Sequence, residues 1–299
     1  MIGHLQTIAA ALRPPPRVAL ARERWETPDG DFIDVDFAGD ANLPRLAVLL
    51  HGLEGCSDSH YARLIARAFP DAGWRVAIAH WRGCSGEPNR QPRAYHSGDS
   101  AEVDWILRQL TRNAARPLDA IGVSLGGNAL LKWLGERGAA AARLVRRAAS
   151  ISAPLDLSAA AGALDRGLNR LLYTRMFLAT LKPKSLAKLA NAPRLFDGER
   201  LRRARTFREF DDVFTAPLHG FRDVHHYWSS ASSGPWLAHI RVPTLLINAR
   251  NDPFLPEPAL LAATRNAAAS VTLELPGRGG HVGFAAGWLV RRLLEFFRP

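Results

Sequence analysis

Cysteine, methionine and lysine are all scarce in this chain, and each scarcity narrows what it can be. The two cysteines in 299 residues, Cys56 and Cys84, are too few for a disulfide framework and suit a reducing compartment in which both thiols stay free. No apolar run approaches the roughly 20 residues that span a bilayer. The apolar patch from Thr7 to Leu12 runs into Arg13 and three prolines with no small-residue cleavage site, so it does not read as a secretory leader. A soluble, cytoplasmic protein is expected. Lysine occurs only at 132, 182, 184 and 188, and the remaining cations are arginine. A formal charge of +11 would suit a phosphate backbone if the cations were clustered, because clustered cations release counterions. They are scattered, without an aromatic-interleaved stripe or a nucleic-acid motif, so no nucleic-acid partner is expected. A weak peripheral attraction to anionic membranes, or to acyl-phosphate substrates, stays open.

What is present is an ordinary globular balance, 47% hydrophobic and 22% charged, enough for one large α/β domain or two small ones. Pro14 to Pro16 end any helix begun in the first dozen residues. Residues 23–27 and 32–37 read as two strands joined at Pro28-Asp29-Gly30. Phe32, Val35 and Phe37 alternate with acids there, as in a half-exposed antiparallel hairpin. Six short continuous apolar runs follow, at 46–50, 76–79, 120–123, 148–152, 244–248 and 271–275. Helix-like stretches at 61–69, 100–111 and 128–135 separate them, and 288–297 closes the pattern. This rhythm indicates buried parallel strands with crossover helices. Between Pro154 and Pro243 only helical patterns occur, among them 168–181 and 184–190. That interval reads as a helical cap, residues 155–235, inserted before the strand at 244–248 within a single domain of residues 1–299.

Gly122-Val123-Ser124-Leu125-Gly126 matches the G-x-S-x-G nucleophile elbow, in which a serine sits on a tight strand-to-helix turn. The pattern alone is weak, but an apolar strand precedes it and a helix follows. A serine hydroxyl is nearly unreactive at neutral pH without a base, and the base needs a carboxylate to fix its tautomer. The chain order Ser, acid, His belongs to this elbow. Asp252 follows the run at 244–248 and His281 follows the run at 271–275, flanked by glycines. Asp156, just after the run at 148–152, is the rival acid. Leu125, after the serine, and Leu53, in the loop after the first parallel strand, are the expected main-chain oxyanion donors. His219, His225 and His226 lack the ligand spacing of a metal site, and no metal or cofactor is expected.

Several stretches are similar to the YheT-like branch of the α/β-hydrolase superfamily, a group of abhydrolase-domain esterases. They are HGLEG at 51–55, RGCSGEPN at 82–89, YHSGD at 95–99, GVSLGGN at 122–128, REFDD at 208–212, NDPF at 251–254 and GGHVGF at 279–284. The resemblance covers the chain from about Glu23 onward and is thinnest over 157–204. It implies the α/β-hydrolase fold, carboxylic ester hydrolysis without a cofactor, and Ser124, Asp252 and His281 as the triad, favouring Asp252 over Asp156.

The expected mechanism is two-step acyl transfer from a small-molecule ester of short- to medium-chain acyl groups, with the Leu53 and Leu125 N–H groups holding the oxyanion. Transfer to an alcohol, or a non-catalytic role binding a membrane or partner, are the alternatives. Leu171, Leu172, Met176, Phe177 and Leu178 read as acyl-pocket lining or cap core. Arg208, Asp211 and Asp212 of REFDD read as ion pairs docking the cap.

Overall fold

The six continuous apolar runs become parallel strands of one eight-stranded sheet in the computed structural model, which describes residues 1–112, 114, 116–285 and 287–298. The strands are β1 Ala21–Glu26, β2 Phe32–Ala38, β3 Arg45–Leu50, β4 Trp74–Ala79, β5 Leu118–Val123, β6 Val145–Ile151, β7 Thr244–Ile247 and β8 Val271–Glu274. Their order is β1-β2-β4-β3-β5-β6-β7-β8. β1 with β2 and β2 with β4 pair antiparallel, and every other pair is parallel. This is the α/β-hydrolase fold with an antiparallel N-terminal hairpin.

Helices α2 His60–Ala68, α3 Ser100–Thr111 and α4 Leu125–Arg137, with the helix Trp288–Phe297, flank the sheet, and α1 Ile2–Leu12 lies against the loops that carry Asn251 and His281. Two apolar layers result, one on each face. One joins Val48, Leu50 and Ala120 to Leu130 and Trp133 of α4; the other joins Leu49, Ile121 and Ile247 to Ile65 of α2 and Leu293. At roughly 25 cal/mol per Å² of apolar surface removed from water, this double burial is the main force holding the strands central.

The hairpin is exposed along β1 but departs from the half-exposed expectation at β2, every residue of which is buried. Asp34 and Asp36 stand directly opposite Arg24 and Arg22 of β1, and each takes a two-pronged guanidinium contact at 2.7–2.9 Å. The acids alternate with apolar residues because one face of the strand carries ion pairs, not because it meets water.

Residues between β6 and β7 are helical. Helix α5 Leu157–Leu164 leads to a long run built from Gly167–Asn169, a π-helical turn Arg170–Thr174, Arg175–Ala187 and Lys188–Ala190; shorter helices and a second π-helical turn, Asp211–Thr215, follow. These pieces share an apolar cluster that includes Leu178, Leu181, Phe207, Phe210, Phe214 and Trp228. Leu178 is thus core of this helical segment and Phe177 borders the site, but Leu171, Leu172 and Met176 are neither, being 68%, 41% and 54% exposed. Helical spacing turns Tyr173, Phe177 and Leu181 inward at four-residue intervals and leaves those three on the opposite face.

Candidate active site

β5 ends at Val123 and α4 begins at Leu125, so Ser124 alone makes the turn. Its backbone sits at φ 53°, ψ −117°, a region that side-chain-bearing residues seldom occupy. Glycines make the turn possible. A Cβ on Gly122 would stand 2.5 Å from the Gly126 carbonyl oxygen, and one on Gly126 would overlap that of Leu50. The Ser124 N–H donates to Ile151 O at 2.8 Å, tying the turn to the neighbouring strand.

The structure brings the three side chains together. His281 Nε2 lies 3.0 Å from Ser124 Oγ, and Nδ1 lies 2.8 Å from Asp252 Oδ2. With a carboxylate as its only possible partner there, Nδ1 carries the proton, which leaves Nε2 as the acceptor facing the serine. The Asp252 side chain is 0% exposed and that of His281 12%. Asp252 also accepts the Phe254 N–H at 2.8 Å, and the Phe254 ring stacks on the imidazole with centroids 4.2 Å apart. Asp156 lies elsewhere in role: it is the exposed N-cap of α5 and accepts the Ala159 N–H at 3.0 Å.

β3 and β5 are neighbours, which sets the 51–55 loop beside the elbow. Within that loop the Gly52 N–H donates to the Tyr61 hydroxyl at 2.9 Å, the Glu54 N–H to the Tyr95 hydroxyl at 3.0 Å, and the Gly55 N–H to Gly52 O. Among the described residues, the N–H groups of Leu53 and Leu125 have no protein acceptor, and both residues line the chamber with Ser124. His51 shapes the loop. Its Nε2 accepts the Trp81 N–H at 3.1 Å and its Nδ1 donates to Gly52 O at 2.8 Å. Burial pushes this imidazole down to about 3, so it stays neutral and keeps both contacts.

The sequence gives little sign of a further layer, contributed by α1. Thr7 Oγ1 accepts the main-chain N–H of His281 at 2.8 Å. Gln6 Oε1 accepts from the Asn251 amide at 2.8 Å and the Gly279 N–H at 3.2 Å, while Asn251 Oδ1 accepts the Gly279 and Gly280 N–H groups, both at 3.0 Å. A Cβ on Gly3 would overlap the Asn251 carbonyl oxygen, and one on Gly280 would stand 2.5 Å from Gly3 O. Helix and both loops therefore interlock at backbone contact. Gly3 and Thr7, four residues apart on one helix face, are the only local sign of it.

The chamber beside Ser124 and His281 measures about 90 Å³ and is walled by Leu157, Leu164, Phe177 and Phe254, among others. A neck of Leu53, Ser97, Leu125, Phe207, Asp211 and Tyr227 borders both it and a larger cavity of about 440 Å³. Asp211 faces this neck instead of docking the cap by an ion pair. Its carboxylate accepts from Thr215 Oγ1 at 2.6 Å and Trp228 Nε1 at 2.9 Å, and burial pushes it up to about 6. Arg208 meets His225 at 2.9 Å, and Asp212 meets Arg200 at 3.4 Å. His219 packs on His96, with ring centroids 4.5 Å apart, and His226 accepts the Arg222 N–H, so the three histidines do not converge. Both cysteines are free. No helix among the described residues is long and apolar enough to cross a membrane.

Comparison with known proteins agrees with this geometry at the level of family. Residues 47–287 match the family model described as the alpha/beta hydrolase fold. YheT, a candidate esterase of Escherichia coli (strain K12), is 38% identical over 295 residues, covering 96% of this chain and 85% of that protein. Phospholipase ABHD3 of Mus musculus is 30% identical over 282 residues, covering 91% and 68%. The esterase Pf2001 of Pyrococcus furiosus superposes with a TM-score of 0.62 at 15% identity, covering 95% of this chain and 98% of that one, which speaks for the fold alone. The chain belongs to the α/β-hydrolase fold family, in its YheT-like branch.

Proposed function

We propose that the protein is a cytoplasmic serine hydrolase that cleaves carboxylic esters of short- to medium-chain acyl groups through an acyl-enzyme. The observation that carries this reading is the unbroken relay from Asp252 through His281 to Ser124, at 2.8 and 3.0 Å. His281 takes the serine proton as Oγ attacks the ester carbonyl, and Asp252 stabilises the imidazolium. The unpaired N–H groups of Leu53 and Leu125 receive the oxyanion; removing one such donor costs roughly a hundred- to a thousandfold in rate. His281 then protonates the departing alcohol, and water repeats the sequence on the acyl-enzyme. The name of the Escherichia coli relative as a candidate esterase supports the same reaction class. Residues 155–235 act as a cap that dries the site, with the larger cavity taking the bulk of the substrate.

Labelling with a fluorophosphonate probe, followed by peptide mass spectrometry, tests the reading. One adduct on Ser124, absent from Ser124→Ala, is expected, together with hydrolysis across a panel of 4-nitrophenyl esters. A folded protein that takes no adduct and turns over no ester would sink it. Ester exchange dominating hydrolysis when an alcohol is added would make the enzyme an acyltransferase.

A further inference from the structure

We infer that α1 and the cap run from Gly167 to Ala187 together form a docking surface for anionic lipid. Ten large hydrophobic residues are exposed among the described residues, and eight of them lie on these two segments: Met1, Ile2, Leu5 and Leu12, then Leu168, Leu171, Leu172 and Met176. Scattered exposed leucines need no explanation, but confinement to two touching elements does. The elements meet where His4 Nδ1 pairs with the Tyr173 hydroxyl at 3.2 Å, the two rings lying parallel with centroids 5.8 Å apart. Leu5 and Leu172 immediately neighbour that contact in sequence, so the two exposed faces flank a single seam.

Charge identifies the occupant. No acidic residue occurs in 1–22 or in 166–191. Arg13, Arg17, Arg166, Arg170 and Arg175 are exposed there, and none has an ion-pair partner among the described residues. Apolar side chains bordered by cations without ion-pair partners are what an amphipathic helix presents to an anionic lipid interface, and Asp165 and Glu209, near Arg170, are the acids that border it. The surface also lies close to the chemistry. Tyr173 packs edge-on against Phe254 at 4.6 Å, and Phe254 stacks on His281. A protein seated on lipid through this face brings its chamber to esters dissolved in the membrane without crossing it.

The test is co-sedimentation of the Ser124→Ala protein with phosphatidylcholine vesicles, with and without phosphatidylglycerol, so that the result is independent of turnover. Binding is expected only with phosphatidylglycerol and falling as salt rises. The pair Leu171→Glu and Leu172→Glu should weaken it more than about tenfold, and Arg166→Gln, Arg170→Gln and Arg175→Gln together roughly a hundredfold. In the background with Ser124 intact, the same variants should hydrolyse a water-soluble short ester as the parent does, which shows that they fold. Absence of binding at low salt, or binding that the leucine variants leave intact, overturns the inference. So does a dimer in sedimentation velocity that the leucine variants dissolve, since the face would then belong to a second copy. Failure of Ser124 labelling would overturn the hydrolase reading and leave this one standing.

Discussion

The hydroxyl of Thr7 accepts the main-chain N–H of His281 at 2.8 Å across 274 residues of sequence. The imidazole is thus oriented on one side by Asp252 and has its backbone pinned on the other by α1. In Thr7→Val the shape is kept and the acceptor lost, so kcat should fall about ten- to thirtyfold as the ring wanders from its attack geometry. KM for a short soluble ester should stay within a factor of about two. Thr7→Ser should recover most of the rate. A kcat equal to the parent's would show that the His281 loop holds itself without α1.

The two candidate acids should separate cleanly. Asp252→Asn leaves the shape but turns the imidazole to the wrong tautomer, and kcat should drop by about 10⁴. Asp156→Ala removes a helix cap, costing about 1 kcal/mol of stability with turnover retained. Kinetics and urea unfolding of both variants check this, and an inactive Asp156→Ala of normal stability would reverse the assignment.

Arg82 is a stability prediction. Its guanidinium, with a side chain 5% exposed, holds Asp29 at 2.8 Å, Asp31 at 2.9 Å and Glu102 at 2.9 Å. Replacing it with methionine strands the buried carboxylates of Asp31 and Glu102, and about 3–5 kcal/mol should be lost. For a chain of this size, that is a fall in Tm on the order of 10 °C by calorimetry. A loss below about 1 kcal/mol would mean that water reaches the carboxylates.

Asp211 predicts a pH dependence. Burial raises its carboxyl from 3.8 to about 6, and the nearby charge of Asp165 adds to this, while the Thr215 and Trp228 hydrogen bonds oppose it. The folded state therefore binds this proton more tightly than the unfolded chain does. Its contribution is complete below about 3.8 and is lost as pH rises through about 6. Asp211→Asn still offers Trp228 an acceptor and does not ionise. Relative to the parent, it should gain about 2 kcal/mol between pH 4 and pH 8 in urea unfolding. A difference that does not change with pH would mean that the carboxylate is solvated through the cavity.

Local signals made the sheet and the elbow legible before the structure. Short apolar runs such as 120–123 and 46–50, alternating with helix-like stretches, indicate buried strands, and a serine between glycines after such a strand has few other uses. Strand ends were less legible. Ser152, expected inside a strand, lies just beyond β6 at φ 51°, where its hydroxyl accepts the Val282 N–H at 3.3 Å. The acids of β2 misled because period-two alternation looks the same whether the polar side meets water or arginine. Leu171, Leu172 and Met176 misled for the complementary reason: apolar residues at helical spacing imply a core only when something covers them. The contribution of α1 was hidden because its contacts reach almost the whole length of the chain, and no pattern within a window of a few turns reports them.

The interlock of α1 with the His281 loop also bears on biosynthesis. At typical elongation rates of about 5–20 residues per second, roughly 15 to 55 s separate the emergence of Thr7 from that of His281. Until Asn251 and then His281 have emerged, the seat for Gly3 and Thr7 is incomplete, so the helix waits undocked. The joint that pins the imidazole thus makes the site's geometry wait on two segments made 274 residues apart.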